Sequence, residues 1–234
     1  FFRWENYYLV LKKLFALVAV PAIVYVSVFA IHFELITKPG SANAFLSKEF
    51  QSRNFHGKFI ELNRAMYTVN AGILAPHPSS SKPYTWPIML RSIYYWNKSG
   101  GNSTMARIYL IGNPAVWWGS TFFGLLALIF WWPRANPAKK WLPVWLWLIS
   151  MAPFMFVART LFLYHYLTAL VAAVMLVAGW LGDEPQKRRR IKTFTLYAAL
   201  AAAFAGFVYF APLTYGFYLT EAAFKSRLWL PGWL

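Results

Sequence analysis

Apolar residues in this chain come in blocks about 20 residues long rather than in the alternating or one-sided patterns of soluble strands and helices. Such a block is the length needed to cross about 30 Å of hydrocarbon, where a helix satisfies its own main-chain polar groups. Five blocks qualify, near 14–36, 109–132, 141–158, 161–181 and 194–214. The third, WLPVWLWLISMAPFMFVA, contains Pro143, which suits a first helical turn, and Pro153, which is expected to kink the helix. The last carries AALAAAFAG, small residues that permit close helix contact. The pattern predicts an all-α integral membrane protein of about five transmembrane helices. Its organisation is a cytoplasmic flank and first helix (1–36), an extracytoplasmic loop (37–108), a four-helix transmembrane region (109–214) and an extracytoplasmic tail (215–234).

The long loop shows no clear strand alternation. Within SKEFQSRNFHGKFIELNRAMYTVNAG, Ser47 is the expected cap, and Phe59, Leu62, Met66 and Val69 recur at helical spacing, which predicts an amphipathic helix along the membrane surface. After Gly72, APHPSSSKPYTWP is expected to stay irregular because Pro and Ser punctuate it. A connection of this length, dense in Trp, Tyr, Arg and His, is more often functional than idle. There is no internal repeat.

Composition agrees with the blocks. Of 234 residues 59% are hydrophobic and only 13% charged, with a mean hydropathy of +0.42. About 25% charged is usual for a soluble domain. The net charge of +16 would suggest nucleic acid on a soluble chain. Here, however, Lys12, Lys13, Arg134, Lys139, Lys140 and the Lys187–Arg190 run abut apolar blocks and read as membrane-orienting charges. PRANPAKK, GDEPQKRRRIK and the N-terminal flank with Arg3 are therefore expected in the cytoplasm, with the N-terminus inside and the C-terminus outside. FFRWENYY lacks an initiator Met and the layout of a signal peptide, so the chain is expected to be a piece of something longer.

Several chemistries lack their residues. No GxGxxG, GxxxxGK[ST] or HExxH occurs, and there is no cysteine. A Ser-His-Asp triad fails because the only aspartate, Asp183, falls on the cytoplasmic side, opposite His56, His77 and His165. No metal site and no cofactor are expected. The span interiors hold no chain of acids for ion coupling, which disfavours a transporter.

What remains lies at the extracytoplasmic face. In RTLFLYHY, Arg159 precedes Tyr164, His165 and Tyr166. A helix starting close to Thr160 would add free N–H groups and its positive end to Arg159, favouring a phosphate. Interfacial anchoring, with Arg snorkelling and an aromatic belt, explains the same residues. In HPSSSKPYTWPIMLR, His77, Ser79 to Ser81, Lys82, Tyr84, Trp86 and Arg91 suit a sugar or an extended Ser/Thr-rich peptide, or else a cap that only packs. Glu61, Asn63 and Arg64 read equally as a solvated face, and Glu34 as a lone base or an ion-pair partner. Asn97-Lys98-Ser99 and Asn102-Ser103-Thr104 fit the glycosylation acceptor pattern.

GKFIELNRAMYTVNAG, HPSSSKPYTWPIMLR, IYLIGNPAVWW, RTLFLYHYLTAL and APLTYG, in that order, resemble the C-terminal half of protein O-mannosyltransferases, from about His32 to the end. These are membrane glycosyltransferases of the C-type fold that use polyprenyl- or dolichyl-phosphate mannose. The resemblance implies transfer of mannose from the lipid phosphate to Ser or Thr hydroxyls of proteins. The alternative is a non-catalytic membrane scaffold or binding subunit. It further implies that Arg159, Tyr164, His165 and Tyr166 hold the donor phosphate and that His77, Ser80, Trp86 and Arg91 border the acceptor. Many eukaryotic members insert MIR repeats between HFELITKPGSANAFLSKEFQ and GKFIELNRAM; here a few residues separate them, as in the shorter form expected in a bacterial plasma membrane rather than the endoplasmic reticulum. The family's Asp-Glu motif has no counterpart in this chain, so the catalytic base is expected outside it and the segment alone is expected to be inactive. The implied partners are the lipid donor, an acceptor protein, the N-terminal half of the enzyme and a possible homo- or heterodimer, with no nucleic acid.

Overall fold

The computed structural model describes residues 4–133, 136–183 and 189–234. Of the cations assigned above to the cytoplasmic side, Arg3, Arg134, Lys187 and Arg188 lie outside the described residues. The chain forms two compact units, Phe1–Ile73 and Leu74–Leu234.

The first unit is two helices. α1 (Trp4–Leu35) carries Pro21 inside it and is apolar on every side, with its most apolar 18-residue window entirely unburied. α2 (Phe55–Ala71) begins where Asn54 Oδ1 accepts from Gly57 N at 2.9 Å. Asn54, not Ser47, is therefore the cap. Ser47 is drawn away because its N and Oγ both donate to Glu61, at 2.6 and 3.1 Å. α2 packs on α1 through aromatic edges: Phe29 and Phe59 are 5.3 Å apart, Phe33 and Phe55 5.8 Å, and Tyr25 donates to Asn63 Oδ1.

The second unit starts with an irregular segment and a hairpin, β1 (Ile93–Ser99) and β2 (Thr104–Leu110). The hairpin corrects the expectation of a strandless loop. Its signal is the turn, where Asn102 and Ser103 take φ of 53° and 57°, as tight hairpin turns require. α3 (Pro114–Phe130) therefore begins later than the 109 expected, with Asn113 Oδ1 accepting from Ala115 N at 3.0 Å. α4 runs over Ala138–Met155, so Pro143 sits in the second turn rather than the first, and the helix stops just beyond Pro153 instead of continuing past a kink. A 3-10 turn (Leu163–Tyr166) leads into α5 (Leu167–Asp183). α6 (Arg189–Tyr215) ends at Gly216, whose φ of +68° suits a residue without Cβ. The tail then folds into β3 (Tyr218–Thr220) and α7 (Glu221–Lys225), and the sheet order is β1-β2-β3, all antiparallel.

Among the described residues, three helical stretches are long and apolar enough to cross a membrane, Tyr7–Leu35, Leu163–Asp183 and Thr193–Tyr215; α3 is apolar but shorter. The close contacts inside the second unit are made on α5, where Ala169, Ala172 and Ala173 are buried. Much of the alanine-rich run of α6 stays exposed, and Gly206 there meets Asn113, which donates to Ala203 O at 2.6 Å. Trp86, Met89, Trp117, Tyr166, Leu213 and Trp233 form the centre of the core. Gly112 is required beside it, since a Cβ there would lie 2.1 Å from the Trp117 ring. Lys140, expected as a membrane-orienting charge, is buried: its Nζ donates to Leu128 O (2.9 Å) and Trp131 O (2.7 Å), closing the C-terminus of α3.

Candidate functional site

Residues 76–92 cannot pair as a strand, because Pro78, Pro83 and Pro87 interrupt the donors. Side chains satisfy the carbonyls instead. Trp117 Nε1 donates to Trp86 O (2.7 Å), Thr121 Oγ1 to Pro87 O (2.7 Å), Trp118 Nε1 to Ile88 O (2.9 Å) and Trp233 Nε1 to Met89 O (2.7 Å). The bonds to Trp86, Pro87 and Met89 are buried or half-buried and would be costly to leave unmade, whereas the bond to Ile88 is exposed. Met89 is held at φ 52° in the middle of this clamp, a strained value for a residue with a side chain. The segment is also tied to the corner between α4 and α5, through Ser81 N to Leu161 O (2.9 Å) and Thr160 Oγ1 to Ala75 O (2.7 Å).

Between the clamped segment and that corner lies an open cavity of about 600 Å³. Its wall includes Ser80, Lys82, Thr85, Arg91, Arg159 and Thr160, with Phe154, Met155 and Leu161 as the apolar side. Among the described residues, three cations and no carboxylate line it. The described acids of this unit are occupied elsewhere. Asp183 Oδ2 accepts from Trp131 Nε1 at 3.0 Å, while Glu221 accepts from Arg107 at 2.8 Å. That hydrogen bond from Arg107 is the main reason the Glu221 carboxyl titrates below its ordinary range. The cavity is thus an anion site by charge, and its hydroxyls supply further donors.

Of the residues expected at the site, Ser80, Arg91 and Arg159 line this cavity together. Arg91 also donates to Pro78 O at 2.7 Å, which fixes its stem against the segment. His165 lies behind the wall: its ring stacks on Trp86 at 5.7 Å, meets Phe154 edge-on at 4.9 Å, and interacts electrostatically with Arg159. Its Nδ1 is held 2.9 Å from Phe162 O. Tyr164 stacks on His165 at 4.3 Å and is part exposed, and His77 meets Phe162 edge-on at 5.2 Å while its Nδ1 accepts from Ser79 N.

Trp86 and Tyr166 are not brought to the cavity. Trp86 is fully buried, with Nε1 donating to Ser81 Oγ at 2.9 Å. Tyr166 belongs to the core and lines a second, apolar cavity of about 360 Å³ between α3, α4 and α5, with Trp147 Nε1 3.4 Å from its hydroxyl. The expected helix N-terminus at Thr160 is also displaced, because helical structure starts at Leu163, so the dipole end does not adjoin Arg159 as supposed. Phe154 and the clamping tryptophans Trp117, Trp118 and Trp233 were not expected at the site, and Thr160 was expected there only as a helix start, not as a hydroxyl. Trp-Trp at 117–118 and Trp233, near a Pro-interrupted segment in need of donors, were the available signal.

A family model described as the C-terminal four TMM region of protein-O-mannosyltransferase matches residues 55–233. Dolichyl-phosphate-mannose--protein mannosyltransferase 5 of Candida albicans is 29% identical over 210 residues, covering 80% of this chain and 29% of that protein. Dolichyl-phosphate-mannose--protein mannosyltransferase 1 of Saccharomyces cerevisiae is 31% identical over 205 residues, covering 79% of this chain and 24% of that protein. The solved S. cerevisiae protein O-mannosyltransferase Pmt1-Pmt2 complex bound to the sugar donor contains a chain at TM-score 0.64 and 29% identity, covering 78% of this chain and 27% of that one. The chain thus spans less than a third of the length of these relatives.

Proposed function

This chain belongs to the protein O-mannosyltransferase family, an integral membrane family, and from that membership we propose that it is the C-terminal membrane part of an enzyme moving mannose from a polyprenyl or dolichyl phosphate to Ser or Thr hydroxyls of proteins. The observation that carries the reading is the cationic cavity lined by Ser80, Lys82, Arg91 and Arg159. The lipid phosphate sits on the Arg159 side, where charge-assisted hydrogen bonds hold it and stabilise the charge it gains as the sugar–phosphate bond opens. Tyr164 and His165 back that side, Tyr166 acts only through packing, and Ser80, Arg91 and His77 border the acceptor, with Trp86 holding Ser81 in place beside them. The acceptor oxygen attacks the sugar carbon, the carbon–phosphate-oxygen bond breaks, and the hydroxyl proton passes to a carboxylate. Among the described residues no carboxylate lines the cavity, which supports a base supplied by the N-terminal half of the enzyme. Five spans of a C-type fold, with the N-terminus cytoplasmic and the C-terminus outside, complete the reading. Helices over all five apolar blocks support it, as does the pairing of the yeast relatives in one complex, which favours a dimeric partner.

The test is transfer of radiolabelled mannose to a Thr-containing peptide by the full-length enzyme. Arg159→Ala lowers transfer by roughly 10- to 1000-fold, as loss of a desolvated charge-assisted phosphate contact predicts, and Arg159→Lys restores part of it. Unchanged donor KM and turnover in Arg159→Ala remove Arg159 from the site.

A further inference from the structure

The three-stranded sheet leaves one long strand open. β2 is paired on both sides, by β1 and β3, whereas β1 is paired on one side only, and six of its seven residues are exposed. Among the described residues of the second unit no main-chain group bonds its outer edge; Tyr94 N alone meets a side chain, Ser79 Oγ at 3.4 Å. Proteins blunt such edges with proline and charge, yet β1 holds no proline and a single charge, Lys98. The outward groups follow from the register. Gly100 N donates to Thr104 O at 2.9 Å, so alternation down the hairpin turns the main-chain groups of Lys98 and Trp96 toward β2 and those of Ser99 and Asn97 away from it.

The same strand starts close to the cationic cavity. It begins two residues after Arg91, which lines that cavity, and Ser79 at its start adjoins Ser80 of the same wall. The register slips between Tyr94 and Trp96, leaving Tyr95 without an opposite residue, and such a bulge re-aims its side chain. Tyr95 lies near enough to Tyr164 for the two phenols to interact electrostatically when ionised. An uncovered edge leading to a reaction cavity suits an extended chain more than a folded surface. A main-chain ladder reads little sequence, and the neutral aromatics Tyr94, Tyr95 and Trp96 suit an uncharged Ser/Thr-rich segment.

We propose that the outer edge of β1 is the docking rail for the acceptor polypeptide: an extended, Ser/Thr-bearing segment of low charge adds as a fourth strand and thereby leads its hydroxyl residue into the cavity. The proposal rests on the mannosyl-transfer reading above. Its test uses the full-length enzyme and two acceptor peptides, one of about twelve residues, long enough to lie along β1 and still reach the cavity, and one of about three. Asn97→Pro removes an outward N–H without breaking a bond to β2, whereas Asn97→Ala keeps it. The KM ratio of the Pro to the Ala variant is about tenfold for the long peptide and about one for the short, with kcat and donor KM common to both variants.

A ratio near one for the long peptide overturns the proposal, as does an equal loss with both peptides. A change confined to dimer formation overturns it in favour of a second copy of the chain on this edge. Should Asn97→Pro fail to fold, a photo-crosslinking residue at position 97 decides. Capture of the long peptide, competed by excess long but not short peptide, supports the rail, and absence of capture overturns it. Capture without any mannose transfer by the unmodified enzyme would retain the rail and sink only the transfer reading.

Discussion

Two cavities of the second unit differ in what builds them. The apolar one, about 360 Å³, lies among three regular helices and is lined by residues such as Gly124, Leu125, Val144, Trp147, Ala172 and Leu176, with no charged side chain. The cationic one, about 600 Å³, lies where the Pro-interrupted segment meets the end of α4. Regular helices consume their own polar groups, so the walls they offer are side chains chosen for packing. Broken backbone must find partners, and the residues recruited to supply them leave hydroxyls and cations at the surface of the break. The polar side chains of these two cavities thereby gather where regular structure stops.

Placing the same charge in both cavities is the severest way to break that contrast. Ala172→Asp puts an unpaired carboxylate into the apolar cavity and destabilises the protein by about 4 kcal/mol or more, read as loss of folded protein in detergent. Trp86→Ala follows in size. It removes the ring between Ser81 and His165 and costs about 3 kcal/mol in thermal unfolding; a cost below about 1 kcal/mol would show that the clamp does not depend on it. Ser80→Asp, on the cationic wall, changes stability by less than about 1 kcal/mol but lowers transfer about tenfold or more, because the carboxylate competes with phosphate for Arg159 and Arg91.

The smallest effect concerns pH and lies away from both cavities. Arg107 holds the Glu221 carboxyl below its ordinary range, so the folded state binds that proton less readily than the unfolded chain. The stabilisation is complete above the ordinary value of about 4.3 and is lost as pH falls through the lower, folded value. Amide exchange in β3 (Tyr218–Thr220) quickens over that window, and Arg107→Gln removes the pH dependence.

The apolar blocks were legible because a helix surrounded by lipid must be apolar all round: α5 (Leu167–Asp183 against 161–181) and α6 (Arg189–Tyr215 against 194–214) overlap their expected spans closely, whereas α1 (Trp4–Leu35 against 14–36) begins well before its expected start. The hairpin was not, because β1 exposes nearly every residue and so imposes no inside–outside alternation on IYYWNKS. The cap of α2 was misplaced for a different reason: both Ser47 and Asn54 fit the local rule, and only the carboxylate of Glu61, 14 residues away, decides between them. At the site, Arg91 and Arg159 were legible as cations set among hydroxyls and aromatics. Trp86 and Tyr166 were not, since an aromatic with a polar atom reads alike in sequence whether it faces a ligand or a core partner. The tail was the largest omission. Trp233, 144 residues from Met89, holds the carbonyl of that strained residue, a contact no local pattern announces.

The account stands on one placement, the donor phosphate against Arg159. A structure of the full-length enzyme with a non-transferable lipid-phosphate-mannose analogue measures it directly. The account predicts the phosphate in the cationic cavity, within hydrogen-bond distance of the Arg159 guanidinium, with the sugar toward Ser80 and Arg91. A phosphate bound elsewhere, with this cavity left to solvent, would contradict it.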